Sequence, residues 1–295
     1  MNTPNLLKEA AQRVTPALLE VLDRMAVARP EDGAEGAHRV APELHAAMRY
    51  ALTSPGKRLR PALVLGGAHA VGARFDDVLP AACAVEMVHA YSLVHDDLPC
   101  LDDDDERRGQ PSTHKRFGEA TALLAGDALL TEALGLVADG QPLGEGRAPS
   151  FEARALATVA LARASGAAGM VGGQQDDLTF DLATRPAGSK DMVLSIHQRK
   201  TGRLIQASVA LGGIYGGGSP DQVQALRQFG AQLGLAFQLV DDALDVDGFA
   251  ALEGAEAARA LGAEYTKAAL SCLDTLGDRA EGLRGLANIM LERLT

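Results

Sequence analysis

The stretch PAACAVEMVHAYSLVHDDLP, residues 80–99, decides the fold. It opens on Pro80, a residue suited to the first turn of a helix, where a missing N–H costs nothing. It runs to a second proline, Pro99. Between them apolar side chains occur almost all round the helical wheel, so one stripe of contact cannot bury them. Such a helix must be enclosed by other helices. The rest of the chain supplies them.

Hydrophobic residues make up 47% of the 295-residue chain, but aromatics only 4%, and tryptophan is absent. An aliphatic, alanine-rich core favours helix, and few β-branched or aromatic runs are available for strands. Leu44, Met48 and Leu52 recur at helical spacing in APELHAAMRYAL, which stops at TSPG. GEATALLAGDALLTEALGLVA, VLSIHQRKTGRLIQASVALGGIYGGG, DQVQALRQFGAQLGLAFQLVDDALDV and EGAEAARALGAEYTKAALSCL read as further helices. DGQPLGEGRAPS (139–150) and YGGGSP read as loops too short to mark a domain boundary. The expectation is one all-α domain over residues 1–295, a single-domain bundle of antiparallel helices.

A net charge of -11 argues against nucleic acid as the main partner. Cys83, Cys100 and Cys272 are odd in number and widely spaced, as expected for a reducing, cytoplasmic setting rather than a disulfide framework. The start, MNTPNLLKEAAQRV, lacks the pattern of a secretory signal. No unbroken run of about 18 apolar residues occurs, so no membrane span is expected.

The buried helix ends in charge. Six aspartates and a glutamate lie between Asp96 and Glu106, followed by Arg107 and Arg108. Asp96, Asp97 and Asp102 form DDxxxxD. Asp96 and Asp102 lie on different faces of a continuous helix, but Pro99 ends or bends it, and Asp102 could then fold back beside Asp96. A second cluster, Asp241, Asp242 and Asp245, forms DDxxD. With Gln238 these occupy i, i+3, i+4 and i+7, so all four share one helix face. Converging carboxylates repel one another unless a hard divalent cation joins them. Magnesium is typically held by one or two carboxylates together with substrate phosphates. Nearby cations fit the same picture: Lys57 and Arg60 in GKRLRP, Arg107 and Arg108, and Lys200 beside Thr201 in HQRKTG. Arginine matches phosphate oxygens bidentately and lysine adds point charge. The combination points to two diphosphates, one held through metal and one directly.

Taken together, GKRLRP, VHAYSLVHDDLPCLDDDDERRG, GMVGGQ, RKTG and FQLVDDALD resemble the short-chain trans-polyprenyl diphosphate synthases, the bacterial farnesyl branch most of all. The motifs fall in the family's order. The resemblance implies helices packed around a deep central cavity, a homodimer, and Mg2+, with three ions when substrate is bound. It implies head-to-tail condensation of isopentenyl diphosphate with an allylic diphosphate. Asp96 and Asp102 would bind metal from one wall and Asp241 from the other, with Asp97, Asp242 and Asp245 in the same motifs. Arg107, Lys200, Thr201 and Gln238 would contact the allylic diphosphate. Gly56, Lys57, Arg60, His89 and Arg108 would hold isopentenyl diphosphate, and Gln174 would lie near the reacting carbons. Asp96, Asp102, Lys200 and Asp241 would carry the catalysis.

Tyr91 and Ser92 lie five and four residues before Asp96, about one helical turn deeper. A bulky Tyr91 would floor the chain cavity near fifteen carbons, giving farnesyl diphosphate rather than its geranyl or geranylgeranyl alternatives. His95 reads as a packing or hydrogen-bonding residue, and Asp177 as structural. After DDALDVDG the family continues into a threonine–leucine–glycine–lysine stretch and a second lysine-containing loop. About twenty residues of that mobile lid are absent from this sequence, either because the protein is natively short here or because the loop has been left out of it. Other readings are a non-catalytic subunit, against which both aspartate clusters speak, and a terpene cyclase, against which GKRLRP and His89 speak. A di-iron bundle would need two Glu-x-x-His pairs, and Glu86 to His89 is a single candidate.

Overall fold

In the computed structural model, residues 5–26, 40–181, 184 and 188–292 are described. Helices α1 (Leu6–Ala26), α2 (Pro42–Thr53), α3 (Leu59–Val71) and α4 (Leu79–Asp96) come first. A two-residue ribbon follows, β1 (Glu106–Arg107) antiparallel to β2 (Gln110–Pro111), which the sequence reading did not anticipate. Then come α5 (Thr113–Phe117), α6 (Glu119–Asp139), α7 (Phe151–Ser165), α8 (Met170–Thr179), α9 (Ser189–His197) and α10 (Arg203–Tyr215). The chain closes with α11 (Pro220–Asp245), α12 (Gly248–Glu253), α13 (Ala255–Cys272) and α14 (Glu281–Glu292). The architecture is all-α.

Helix α4 lies where its sequence places it. It packs against α1, α2, α3, α6, α7 and α10, and its residues from Leu79 to Val88 are all buried. Helix starts follow local chemistry. Ser219 and Gln222 exchange the reciprocal bonds of a capping box ahead of Pro220, and the Ser150 hydroxyl accepts the Ala153 N–H that begins α7.

One sequence expectation is not confirmed. By length and composition alone, three helical stretches are apolar enough to cross a membrane: Asp76–Asp96, Glu119–Asp139 and Phe151–Thr179. The reading had counted unbroken apolar runs, whereas these stretches reach the same hydropathy with up to two charges interspersed. The first is 78% buried inside the bundle, but the other two are only 33% buried. Leu123 and Leu124 on α6, with Phe151, Leu156 and Val159 on α7, stand exposed.

Candidate active site

The first wall forms where α4 ends. Asp96 is its last residue, and the chain then reverses: the Asp102 N–H donates to the Asp96 carbonyl at 2.9 Å, and the Asp103 N–H to the Leu98 carbonyl at 3.2 Å. The fold-back therefore brings the third aspartate beside the first. Burial, foremost, pushes the Asp96 carboxyl up to about 6; Lys200 and Arg107 oppose this, and Asp102 and Asp97 add to it. Asp97 turns away from the cluster. It accepts a 2.5 Å bond from Arg107 Nε, and Arg107 also reaches Asp104 at 3.0 Å. His95 Nε2 donates to the Leu123 carbonyl (3.0 Å), and the ring stacks edge-on against Tyr91, a packing role.

A cationic corner adjoins this wall on the α3 side. Arg108 and Gly109 both take positive φ, 55° and 75°, as a two-residue hairpin turn requires. The turn sends Arg108 Nη1 to the Pro55 carbonyl at 2.7 Å. A Cβ on Gly56 would lie 2.5 Å from that same nitrogen, so a side chain here would displace the guanidinium from this position. Lys57 is exposed, and Arg60 lies in the first turn of α3 with its buried Nε lacking any partner. Burial lowers Arg60 to about 10, Glu86 opposing and Arg108 reinforcing. Burial also holds His89 well below the usual imidazole range, helped by Arg60, Arg108, Arg58 and Arg107, so it is neutral at physiological pH. Arg58, Glu86, His89, Asp97, Arg107 and Arg108 line one small cavity.

The opposite wall belongs to α8, α11 and the junction of α9 with α10. Residues Gln198–Gly202 form a π-helical turn there, a local widening common at functional sites. It carries Lys200 and Thr201. Three backbones meet at this turn only because glycines permit it. A Cβ on Gly173 would come within 2.3 Å of the Lys200 amide nitrogen, and one on Gly234 within 2.6 Å of the Gly202 Cα. Lys200 Nζ pairs with Asp177 at 2.6 Å, and Arg199 with Asp176. A cavity of about 260 Å³ is lined by Asp177, His197, Lys200, Gln238, Asp242 and Asp247 among others. Gln174 stands half-buried on α8.

Asp242 does not share the role of its helix neighbours. It is buried, accepts the Phe249 N–H at 2.7 Å, and lies 3.5 Å from His197 Nε2. Burial pushes it up to about 7 and lowers His197 to about 4, so a neutral imidazole faces this carboxyl. Asp242 thus latches α12 onto α11. Asp245 is exposed at the end of α11. Val246 then takes left-handed backbone (φ 56°), and the Asp247 carboxylate accepts the Gly248 N–H at 2.7 Å to start α12. The chain passes directly from the second aspartate cluster into α12, and no lysine lies between Asp245 and Lys267.

Sequence reading missed three participants: Arg58, Glu86 and His197. A glutamate inside an otherwise apolar helix was the available signal for Glu86. It pairs with Arg58 rather than joining His89 at a metal, which removes the di-iron reading. Among the described residues, no three carboxylate, imidazole or thiol groups come together closely enough to hold a metal unaided. Asp97 is diverted to Arg107, Asp242 to α12, and Asp102 is exposed. The donors are nonetheless all hard oxygens, and Asp96 is half-buried, with neither a hydrogen bond nor an ion pair to its carboxylate among the described residues. That set fits magnesium held jointly with phosphate oxygens.

The family model described as polyprenyl synthetase matches residues 41–259. The farnesyl diphosphate synthase of Geobacillus stearothermophilus is 42% identical over 248 residues, 84% of this chain and 77% of that one. A chloroplastic geranylgeranyl pyrophosphate synthase 7 of Arabidopsis thaliana is 46% identical over 204 residues, 69% of this chain. The match spans only 57% of that relative's length. Among solved structures, a geranyltransferase from Legionella pneumophila superposes with a TM-score of 0.82 at 32% identity, covering 97% of this chain and 96% of that one. An apo FPP/GFPP synthase from Zymomonas mobilis gives 0.81 at 33%, covering 97% and 98%. Two aspartate motifs facing a glycine-built lysine turn, on this all-helical frame and with these relatives, place the chain in the polyprenyl synthetase family.

Proposed function

We propose that the protein is a prenyltransferase that condenses isopentenyl diphosphate head-to-tail with dimethylallyl or geranyl diphosphate, releasing farnesyl diphosphate. One observation carries this reading. Along a single helix, α4, a half-buried and under-neutralised carboxylate (Asp96) sits two turns from a neutral His89 near four arginines. The first environment asks for a cation and the second for an anion. A site for one metal-held and one arginine-held diphosphate needs both.

In this reading Asp96, Asp102 and Asp241 hold magnesium with the allylic diphosphate, and Lys200, Thr201, Gln238 and Arg107 grip its oxygens. The metal, when bound, supplies Lewis-acid stabilisation of the leaving group. Lys200 and Arg107 add positive charge where negative charge develops. The allylic C–O bond breaks, diphosphate leaves with the electron pair, and the isopentenyl double bond forms the new C–C bond. The proton then lost goes to the departing diphosphate. Lys57, Arg60, His89 and Arg108 orient the second substrate, and Gln174 flanks the reacting carbons. Apolar walls keep water from the allylic cation.

Tyr91 supports the fifteen-carbon product. It is 5% exposed, belongs to the main core, and its ring stands against His95 below Asp96. Geranylgeranyl diphosphate is the second reading, favoured by the similarity to the chloroplastic synthase. We further propose a homodimer, joined through the exposed apolar residues of α6 and α7.

The test is direct. Purified protein is incubated with labelled isopentenyl diphosphate, dimethylallyl diphosphate and magnesium, with an EDTA control, and the dephosphorylated products are separated by length. A magnesium-dependent fifteen-carbon alcohol is expected. A twenty-carbon alcohol keeps the mechanism and removes the Tyr91 floor. No product removes the proposal.

A further inference from the structure

A charged pair lies at full depth behind the cationic corner. Arg58 is 7% exposed and Glu86 4%. Arg58 Nη1 donates to Glu86 Oε1 at 2.5 Å. Arg58 Nη2 donates to the Leu52 carbonyl at 2.8 Å and to the Ser54 carbonyl at 3.2 Å. The Arg58 backbone is left-handed (φ 51°, ψ 38°), a conformation that a non-glycine residue holds only when its surroundings impose it.

The position of this knot matters more than its strength. Arg58 is the residue between Lys57 and the start of α3 at Leu59, with Arg60 in the first turn. Its side chain ties the end of α2, the Ser54–Lys57 loop and α4 together. Its backbone sets the direction in which Lys57 leaves the loop and Arg60 enters the helix. A buried ion pair is weak evidence for stability, since an apolar pair often serves the fold as well. It is stronger evidence for a fixed geometry.

Glu86 also acts beyond Arg58. It is the negative group opposing the burial of Arg60 and of Arg108, and it lies one turn from His89 on the same face of α4. Arg58, Arg107 and Arg108 around one cavity repel one another; Glu86, buried in its wall beside Asp97, offsets part of that repulsion.

We propose that Glu86 and Arg58 are positioning residues for the arginine-held diphosphate: the pair fixes the Ser54–Arg60 segment so that Lys57, Arg60 and Arg108 converge on isopentenyl diphosphate before it binds. Neither side chain touches the reacting atoms. This rests on the assignment of that corner given above, and the experiment separates the two.

KM for each substrate and kcat are measured on the wild type, Glu86→Gln and Arg58→Lys, with thermal unfolding followed in parallel. Glu86→Gln keeps volume and one acceptor but removes the charge. It should raise KM for isopentenyl diphosphate at least tenfold while KM for the allylic diphosphate stays within twofold. Arg58→Lys keeps the charge but cannot bond a carboxylate and two carbonyls at once, and it should shift the same constant in the same direction. It carries the test alone should Glu86→Gln fail to fold. In the double variant Arg58→Met/Glu86→Leu the unfolding temperature should recover towards wild type while the isopentenyl KM stays high. A rise of both KM values together, no change in either, or recovery of KM along with stability in the double variant would show a purely structural pair. A wild type that forms no product overturns this inference along with the assignment beneath it. A working wild type with unaltered variants overturns this inference alone.

Discussion

Tyr91 carries the most specific consequence at the scale of single residues. Its hydroxyl is buried without a hydrogen-bond partner, so the ring sits there for its bulk. Burial pushes the phenol up to about 12, so it stays neutral through the range in which the protein is assayed. Tyr91→Ala should therefore move the main product from fifteen to twenty carbons or longer, read by chain-length separation, with the first condensation slowed less than threefold. A raised phenol pKa means protonation persists as pH rises, so the wild-type product ratio should be the same at pH 7 and pH 9. Asp96 lies at the other extreme. Asp96→Asn keeps its shape and removes the charge that a cation would meet. Loss of one such electrostatic partner costs about 10²–10³ in kcat. The expected rate falls by that factor, and raising magnesium tenfold should not restore it.

At the scale of elements, the π-turn at Gln198–Gly202 shows how the site is held. The Lys200 backbone is flanked by α8, and Gly202 by α11, each approaching through a glycine. Gly173→Ala would set a methyl carbon against the Lys200 amide, where backbone cannot yield as a flexible side chain can. Activity should fall at least tenfold, with the allylic KM raised more than the isopentenyl KM. Far-ultraviolet circular dichroism should remain that of a helical protein. The same turn marks the limit of what the sequence could tell. Helix α4, the second aspartate motif and the fold-back at Asp102 were legible, because apolar periodicity and a proline act over a few residues. The π-turn was not, since it arises from packing among three distant helices. Nor was the fate of Asp97 and Asp242. Spacing put Asp242 on a shared face with its motif and Asp97 beside Asp96, but it could not show that Arg107 and the Phe249 amide, ten and seven residues on from Asp97 and Asp242, would claim them. The β-ribbon escaped for a related reason: two residues a side carry no detectable alternation, and only the paired positive φ angles of Arg108 and Gly109 define it.

For the molecule as a whole, the unbalanced feature is the face of α6 and α7. Net charge keeps an acidic protein soluble, yet Phe151 is 78% exposed, Leu124 56% and Leu156 51%. Scattered apolar residues on a surface need no explanation, but two consecutive helices apolar along their length and only a third buried do. A second copy of the chain presenting the same patch would cover both faces at once, as two-fold association requires. Helix α6 also holds His95, since the Leu123 carbonyl meets its ring and Gly126 gives it room, and His95 in turn supports Tyr91. The exposed apolar face and the proposed chain-length floor are therefore joined through α6 and His95. Introducing charge at the patch, Leu124→Glu with Leu156→Glu, should convert a dimer to a monomer, read as a halving of mass by light scattering. If α6 loosens once uncovered, the monomer should also yield a broader mixture of chain lengths than the dimer. A wild type that is monomeric at micromolar concentration would remove the second copy as the occupant of this face. A monomeric variant with an unchanged product ratio would show that the floor stands without the partner.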